Sequence, residues 1–290
     1  MKRLLLFVSF CPLIFSCKKE PAAIPPPPEP RLLALTHNAG FPDAETISIL
    51  YDAGRRILAM QSDENSASAQ VSYSGNQVLI TSISPGLIQS IRLVVNGSGR
   101  VTKRFERTIL SDEAANETRY SSDTTDYFYD SNGLLIRSEG KRDDTTRNST
   151  DATYIGELQS LHTTTYVNTN KMLASMKVED KIINVNSAVY HTNDYVFAYD
   201  QGYDNKLDFK NAVVLNEMSL FEVYPFPINK NYGKLPNKVT HNETYKDENG
   251  VPFYTNEVVY NTVLTFDEKG AVSKIDHDTN YSQPLTFVYQ

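Results

Sequence analysis

The chain has 290 residues, with 28 Lys and Arg against 35 Asp and Glu, a net charge of −7 at pH 7. That balance argues against a nucleic-acid partner, whose phosphates need basic neutralisation, and against docking on an anionic membrane face. The chain carries 18 Tyr, 13 Phe and no Trp, and its two Cys are too few for a thiolate metal site.

The first seventeen residues read as an export signal. Lys2 and Arg3 form a short basic head, and Leu4 to Phe15 are apolar apart from Ser9 and Pro12. This run is too short for a permanent membrane helix, which needs about 20 apolar residues, and it fits a signal-peptide core. Ile14-Phe15-Ser16-Cys17 resembles the lipobox of bacterial lipoproteins, with Phe15 bulkier than the usual occupant. The resemblance implies that residues 1–16 are cleaved and that Cys17 carries a diacyl thioether and an acylated amine. Several acyl chains hold stably at about 0.8 kcal/mol per buried methylene. Cys11 leaves with the signal, so the mature chain is expected to hold neither free thiol nor disulfide, and a net charge of −9 once Lys2 and Arg3 are gone. Lys18-Lys19-Glu20 resembles the start of Bacteroidota lipoproteins, which implies the outer membrane, with the cell surface favoured over the periplasmic face. Pro21 to Pro30 hold six prolines in ten residues, so residues 17–31 read as a semi-rigid polyproline stalk.

From Leu32 to Gln290 a strand pattern recurs, apolar and polar residues alternating between tight Asx/Gly turns. Thr46 to Tyr51 alternates, Asp52-Ala53-Gly54-Arg55 turns, and Arg56 to Met60 returns. Similar units surround Ser74-Gly75-Asn76, Asn96-Gly97-Ser98-Gly99, Asp130-Ser131-Asn132-Gly133, Asp247 to Gly250 and Asp267 to Gly270. Glycine supplies the positive φ of such turns, which places Gly97, Gly133 and Gly270 as candidates for it. Tyr51, Tyr73 and Val95, the turn-entry residues, lie 22 apart, a repeat of one hairpin per unit. Ser111 to Asp126 and Gly140 to Thr153 are polar and threonine-rich and read as longer loops. Asp200 to Lys234 reads as an irregular connection, with at most a short helix at Phe209 to Leu220.

These tyrosine-aspartate-x-x-glycine hairpins resemble YD-repeat proteins. Together with the lipobox, the order of hairpins from Tyr51 to Ile136, the Asp204-to-Asn211 segment, the Phe266-to-Ile275 hairpin and a last strand at Leu285 to Tyr289, they better resemble Bacteroidota lipoproteins of unknown function with a porin-like curved antiparallel sheet. That resemblance implies a fold and a compartment and no activity. The expected architecture is one all-β domain, residues 32–290, of successive antiparallel hairpins in a strongly curved sheet or open barrel.

No constellation reaches the standard of an active site. His37, His162, His191, His241 and His277 show no metal-pair spacing and read as scattered strand and loop residues. Asp276 and Asp278 flank His277, but adjacent strand residues point to opposite faces. Asp130 has hairpin context and reads as a turn residue; Asp200, Asp204 and Asp208 are the better calcium candidates, without the EF-hand frame. There is no Gly-x-Ser-x-Gly elbow, P-loop or dinucleotide fingerprint. Tyr120, Tyr127, Tyr129, Tyr154, Tyr166, Tyr190, Tyr195 and Tyr199 could stack sugars or peptides, though packing across strands is their commoner role. Asp123-Thr124-Thr125 and Asp144-Thr145-Thr146 resemble a Bacteroidota O-glycosylation acceptor motif in polar loops.

The reading is therefore a lipid-anchored cell-envelope protein, not an enzyme, with a binding or structural role and no cofactor or metal. Its expected partners are the outer membrane, through acyl chains on Cys17, and a glycan, a peptide or an outer-membrane protein. Alternatives are a periplasmic carrier of a lipid or other apolar ligand in a half-barrel and, third, a glycan-active enzyme. Cys17→Ala is expected to release the protein from membranes in a high-salt wash, because the acyl chains supply the membrane affinity; a variant that still pellets would refute the anchor.

Overall fold

The computed structural model describes residues 31–37, 44–63, 68–184, 187–199, 203–204, 233–268, 272–277 and 285–289. The signal, Cys17 and the stalk up to Pro30, the Phe209-to-Leu220 segment, Gly270, and Asp200 and Asp208 lie outside them. In chain order come β1 (Leu32–His37), β2 (Glu45–Tyr51), β3 (Ile57–Ser62), β4 (Ser68–Ser74), β5 (Gln77–Ser84) and β6 (Leu87–Val95). The longer strands follow: β7 (Val101–Asp112), β8 (Glu117–Tyr129), β9 (Leu135–Asn148), β10 (Tyr154–Thr169), β11 (Met172–Asn184) and β12 (Ser187–Ala198). The two-residue β13 (Tyr203–Asp204) and β14 (Lys234–Leu235) precede β15 (Lys238–Lys246), β16 (Pro252–Phe266), β17 (Val272–His277) and β18 (Leu285–Tyr289).

Sixteen of these strands form one antiparallel barrel, and β13 with β14 forms a separate two-stranded sheet. The expected all-β fold of hairpins is the fold observed. The sheet closes completely: β1 pairs with β18, Leu35 opposite Phe287 and Thr36 opposite Thr286. Closure leaves the barrel no free strand edge. The register places the start of β1 and the end of β18 together. We call that end the base and the opposite end the mouth.

Local chemistry explains the hairpins. At three base turns the first residue's N–H donates to the carbonyl four residues on: Asp52 to Arg56 at 2.9 Å, Asn96 to Arg100 at 2.8 Å, Asp130 to Leu134 at 2.9 Å. The side-chain oxygen of the same residue accepts from the turn backbone, as Asp130 Oδ1 does from Asn132 and Leu134. Asp247 repeats the pattern at the mouth. The left-handed residue is the fourth of each turn: Arg55, Gly99, Gly133 and Gly250, with φ of 65°, 77°, 80° and 78°. Gly54 and Gly97 therefore do not supply it. A residue earlier in such a turn keeps an ordinary φ, and the left-handed one sits where the chain rejoins the ladder. Gly270 lies outside the described residues.

The two stretches read as polar loops are mostly strand. Ser111 to Asp126 covers the end of β7, a short turn and most of β8; Gly140 to Thr153 covers most of β9 and its turn. Threonine is a good strand former, but these strands show no apolar alternation because both of their faces are polar. Asp123-Thr124-Thr125 and Asp144-Thr145-Thr146 accordingly lie inside β8 and β9 and not in loops.

The inner wall changes character along the barrel axis. Near the base it is apolar and packed: Leu35, Ile57, Ile80, Ile91, Leu93, Leu173, Val239 and Ile275 are fully buried. Leu235 of β14 is buried with them, so the connection after β12 brings a leucine into the barrel's core. Tyrosines rim this end. The hydroxyl of Tyr51 donates to the Leu32 carbonyl, Tyr73 to Ile57 at 3.0 Å, Tyr129 to Val101 at 2.8 Å and Tyr199 to Leu173 at 2.8 Å. Each bond joins a strand's base end to the start of the strand before it. The half-barrel of the carrier reading is thus replaced by a closed wall whose apolar interior, among the described residues, is filled by the protein's own side chains.

Gly133→Val is expected to lower stability by about 1–3 kcal/mol through left-handed strain. A Cβ there also collides with the Arg100 guanidinium. Gly133→Asn is expected to cost less, because Asn tolerates the region. Chemical denaturation compares the three proteins, and equal stability for Val and Asn would contradict the turn's role.

Candidate functional site

Towards the mouth, the inward positions of β7 to β12 and β15 are mostly polar, with Leu110, Leu158, Ile182 and Val189 interspersed. One rung runs across seven strands in strict register: Arg104, Thr125, Gly140, His162, Asp180, His191 and Tyr245. Side chains alternate between the faces of a strand, so residues paired along one rung share the inner face. Gly140 makes room in this rung, since a Cβ there would collide with the His162 ring and the Thr124 carbonyl.

Carboxylates and hydroxyls hold the imidazoles. His191 Nε2 lies 2.9 Å from Glu243 Oε1, and its Nδ1 lies 3.6 Å from Asp180 Oδ2. Its ring stacks on Tyr245 at 4.1 Å between centroids and 9° between planes. His241 and Tyr195 repeat the stack at 4.4 Å and 5°, with His241 Nε2 2.8 Å from Asn193 Oδ1. His162 Nε2 lies 3.1 Å from Thr125 Oγ1, and its Nδ1 3.7 Å from Asp123 Oδ2. These cross-strand ring pairs give the lumen flat, fixed faces.

Nearer the mouth the wall is charged. Arg104 pairs with Glu106 and, at 3.5 Å, with Asp123. Arg119 and Arg142 both reach Asp144, which is buried. Burial pushes the Asp144 carboxyl up, but Ser121, Arg119 and Arg142 outweigh it and hold the group below its ordinary value. Glu106 is likewise held down by Arg104, Gln89 and Thr108 against the effect of burial. Asp180 goes the other way: burial raises it, and His191 and His162 offset only part of that. Burial lowers His241, partly countered by Glu243. Tyr195 is pushed up to about 12 by burial, with Tyr260 and Glu243 adding to it, so its hydroxyl stays protonated at neutral pH. The arrangement offers guanidinium donors, carboxylate acceptors and flat rings on one wall. Among the described residues no group of three or more His, Cys, Asp and Glu converges on a metal-sized point.

The structure thus gathers His162, His191 and His241, which read as scattered in the sequence. His191 comes to face Asp180 only through the pairing of β11 with β12. Asp130 caps a turn, as its hairpin context implies. Of the calcium candidates only Asp204 is described, as backbone in β13. His37 and His277 end strands β1 and β17. Among the central tyrosines, Tyr127, Tyr166, Tyr195 and Tyr199 pack against the core, and Tyr129 ties the base. Tyr190 takes the Lys181 ammonium over its ring, and Tyr120 and Tyr154 are exposed.

The sequence matches no family model and no curated protein. The fold is similar to a solved porin-like protein from Bacteroides uniformis ATCC 8492, at 15% identity and a TM-score of 0.48, over 91% of this chain and 99% of that one. The likeness bears on neither family nor function.

Asp144 and Glu106 have lowered folded values, so their stabilisation is complete above the unfolded carboxyl value, about 4, and lost as pH falls through the folded ones. Asp180 has a raised folded value, so its ionisation opposes folding once the pH exceeds it. Asp144→Asn is therefore expected to lower Tm at neutral pH, with a smaller loss near pH 3. Asp180→Asn is expected to raise Tm at neutral pH, with no gain near pH 3. Thermal unfolding at both pH values checks the two signs.

Proposed function

We propose that this chain is a lipid-anchored envelope protein whose barrel is a non-catalytic binding module, with the polar lumen at the mouth as its binding surface. The observation that carries the reading is the change along the inner wall, from a packed apolar base to a charged, ring-lined mouth. A blind cup holds a ligand without conducting it. The described chain enters the barrel at Leu32 on the base, so an anchor at Cys17 and a stalk over residues 17–31 would turn the mouth away from the membrane. On this reading the barrel stands beside the bilayer and does not cross it. Arg137, Glu139, Lys141 and Asp143 all point outward on β9, over a rise of about 20 Å. A lipid-facing wall needs an apolar band about 25 Å tall, and each Arg or Lys at its midplane costs about 2–4 kcal/mol. Lys177, Glu179 and Lys181 on β11 repeat the charged pattern. The compartment is the outer membrane, with the cell surface ahead of the periplasmic face.

The reading is tested by a thermal-shift panel of neutral and acidic oligosaccharides and short peptides against the mature protein in detergent micelles. At least one ligand is expected to raise Tm, to be recovered chemically unchanged, and to lose its effect in Tyr245→Ala and His191→Ala but not in the outer-wall variant Lys177→Ala. Turnover of the ligand, or equal sensitivity to all three variants, would refute it.

A further inference from the structure

We propose that Arg119 and Arg142, held by the buried Asp144, form an oxyanion clamp on the lumen wall, which takes a carboxylate or sulfate group on a hydroxyl-rich ligand. The proposal rests on the binding role given to the lumen above and names the chemistry that role would recognise.

Arg119 on β8 and Arg142 on β9 are inward residues. Arg119 pairs across the strands with Thr146, Arg142 with Asp123, and Asp144 with Ser121 between them. The Asp144 side chain is 5% exposed, whereas those of Arg119 and Arg142 are 42% and 44% exposed. The carboxylate is therefore a buried support for two guanidiniums that face water. Its oxygens are taken up: Arg142 Nε reaches Oδ1 at 2.9 Å and Oδ2 at 3.2 Å, and Arg119 Nη2 also reaches Oδ2. Among the described residues the Arg119 guanidinium makes no other hydrogen bond, and that of Arg142 makes one more, from Nη2 to Ser121 Oγ at 3.3 Å.

A guanidinium carries five N–H donors in a planar fork that fits carboxylates and sulfates two at a time. Two such forks on one carboxylate give the trio a charge of about +1 and leave a majority of the donors unspent; Asp123, opposite Arg142, is held by Arg104 at 3.5 Å. A second carboxylate, or a sulfate, is what completes the forks. Inward hydroxyls of Ser121, Thr146 and Ser160 flank the pair in register, with Leu110 opposite Arg119 and Leu158 opposite Asp144. Three strands further round the wall, roughly 14 Å at ordinary strand spacing, Asp180 and Glu243 stand around His191. They accept hydrogen bonds from ligand hydroxyls and repel a second anion, which is why the ligand is acidic at one point and hydroxyl-rich beyond it.

The test titrates sodium sulfate, glucuronate and glucose into the mature protein in micelles, following arginine Nε–H and histidine side-chain resonances by NMR. Sulfate and glucuronate are expected to shift the Arg119 and Arg142 signals, and glucose is not. Arg119→Gln is expected to weaken both anions at least tenfold, Arg119→Lys less, and the outer-wall variant Arg137→Gln not at all. Far-UV circular dichroism melts establish that each variant is folded. Arg119 is the residue of choice because Asp144 keeps Arg142 when it is replaced. Tighter sulfate binding assigns the clamp to sulfate esters, and tighter glucuronate binding to uronates. If neither anion binds, or if Arg137→Gln weakens binding as much as Arg119→Gln, the clamp is overturned. A neutral ligand that shifts His191 and needs neither arginine would overturn the clamp and leave the lumen's binding role standing.

Discussion

The base of the barrel depends on a tyrosine hydroxyl donating to a carbonyl at the start of the neighbouring strand. Sixteen strands enclose a ring that, at ordinary tilt, leaves an aqueous channel. Leucine and isoleucine alone do not bridge from wall to turn. Tyrosine does: its ring lies on the apolar core and its hydroxyl reaches the backbone at Leu32, Ile57, Val101 or Leu173. The bond satisfies a hydroxyl that burial would otherwise penalise. It also fixes the height of each hairpin relative to the one before. With the base set in this way, every residue above it on the same strand takes its rung, and the polar ring at the mouth inherits the alignment.

Much of this was legible in the sequence. The hairpins at Asp52, Asn96 and Asp130 announce themselves because the turn residue's side chain must accept backbone N–H groups and the fourth residue must tolerate a left-handed φ. The strands before Tyr51, Tyr73 and Val95 show alternation because one face is apolar core and the other is water. Strands β8 and β9 hid for the complementary reason. Ser121, Asp123, Arg142 and Asp144 face a wet lumen, Ser122, Thr124, Lys141 and Asp143 face solvent, and a strand wet on both sides has no hydrophobic period to read.

The site was hidden more deeply. His162, Asp180 and His191 come together only when three strands hold one register, and no local residue pattern encodes that. The stacked pairs His191–Tyr245 and His241–Tyr195 are separated by the whole connection after β12. Composition concealed the electrostatics too. Among the described residues of this net acidic chain, Arg104, Arg119 and Arg142 on β7 to β9 point inward, and each is paired with a carboxylate on its own or a neighbouring strand.

The pairing of β1 with β18 has a kinetic meaning. The first strand waits for the last one, so closure brings together the most distant parts of the sequence, the contact type that slows folding most. Until β18 arrives, both of these strands expose an unpaired edge, and an edge is where chains pair wrongly with one another. A chain threaded through a membrane from its N-terminus would thus spend its export as an open ribbon, becoming a ring only after the final hairpin had crossed. The edge of β1 that pairs with β18 is thus the first to appear and the last to be covered.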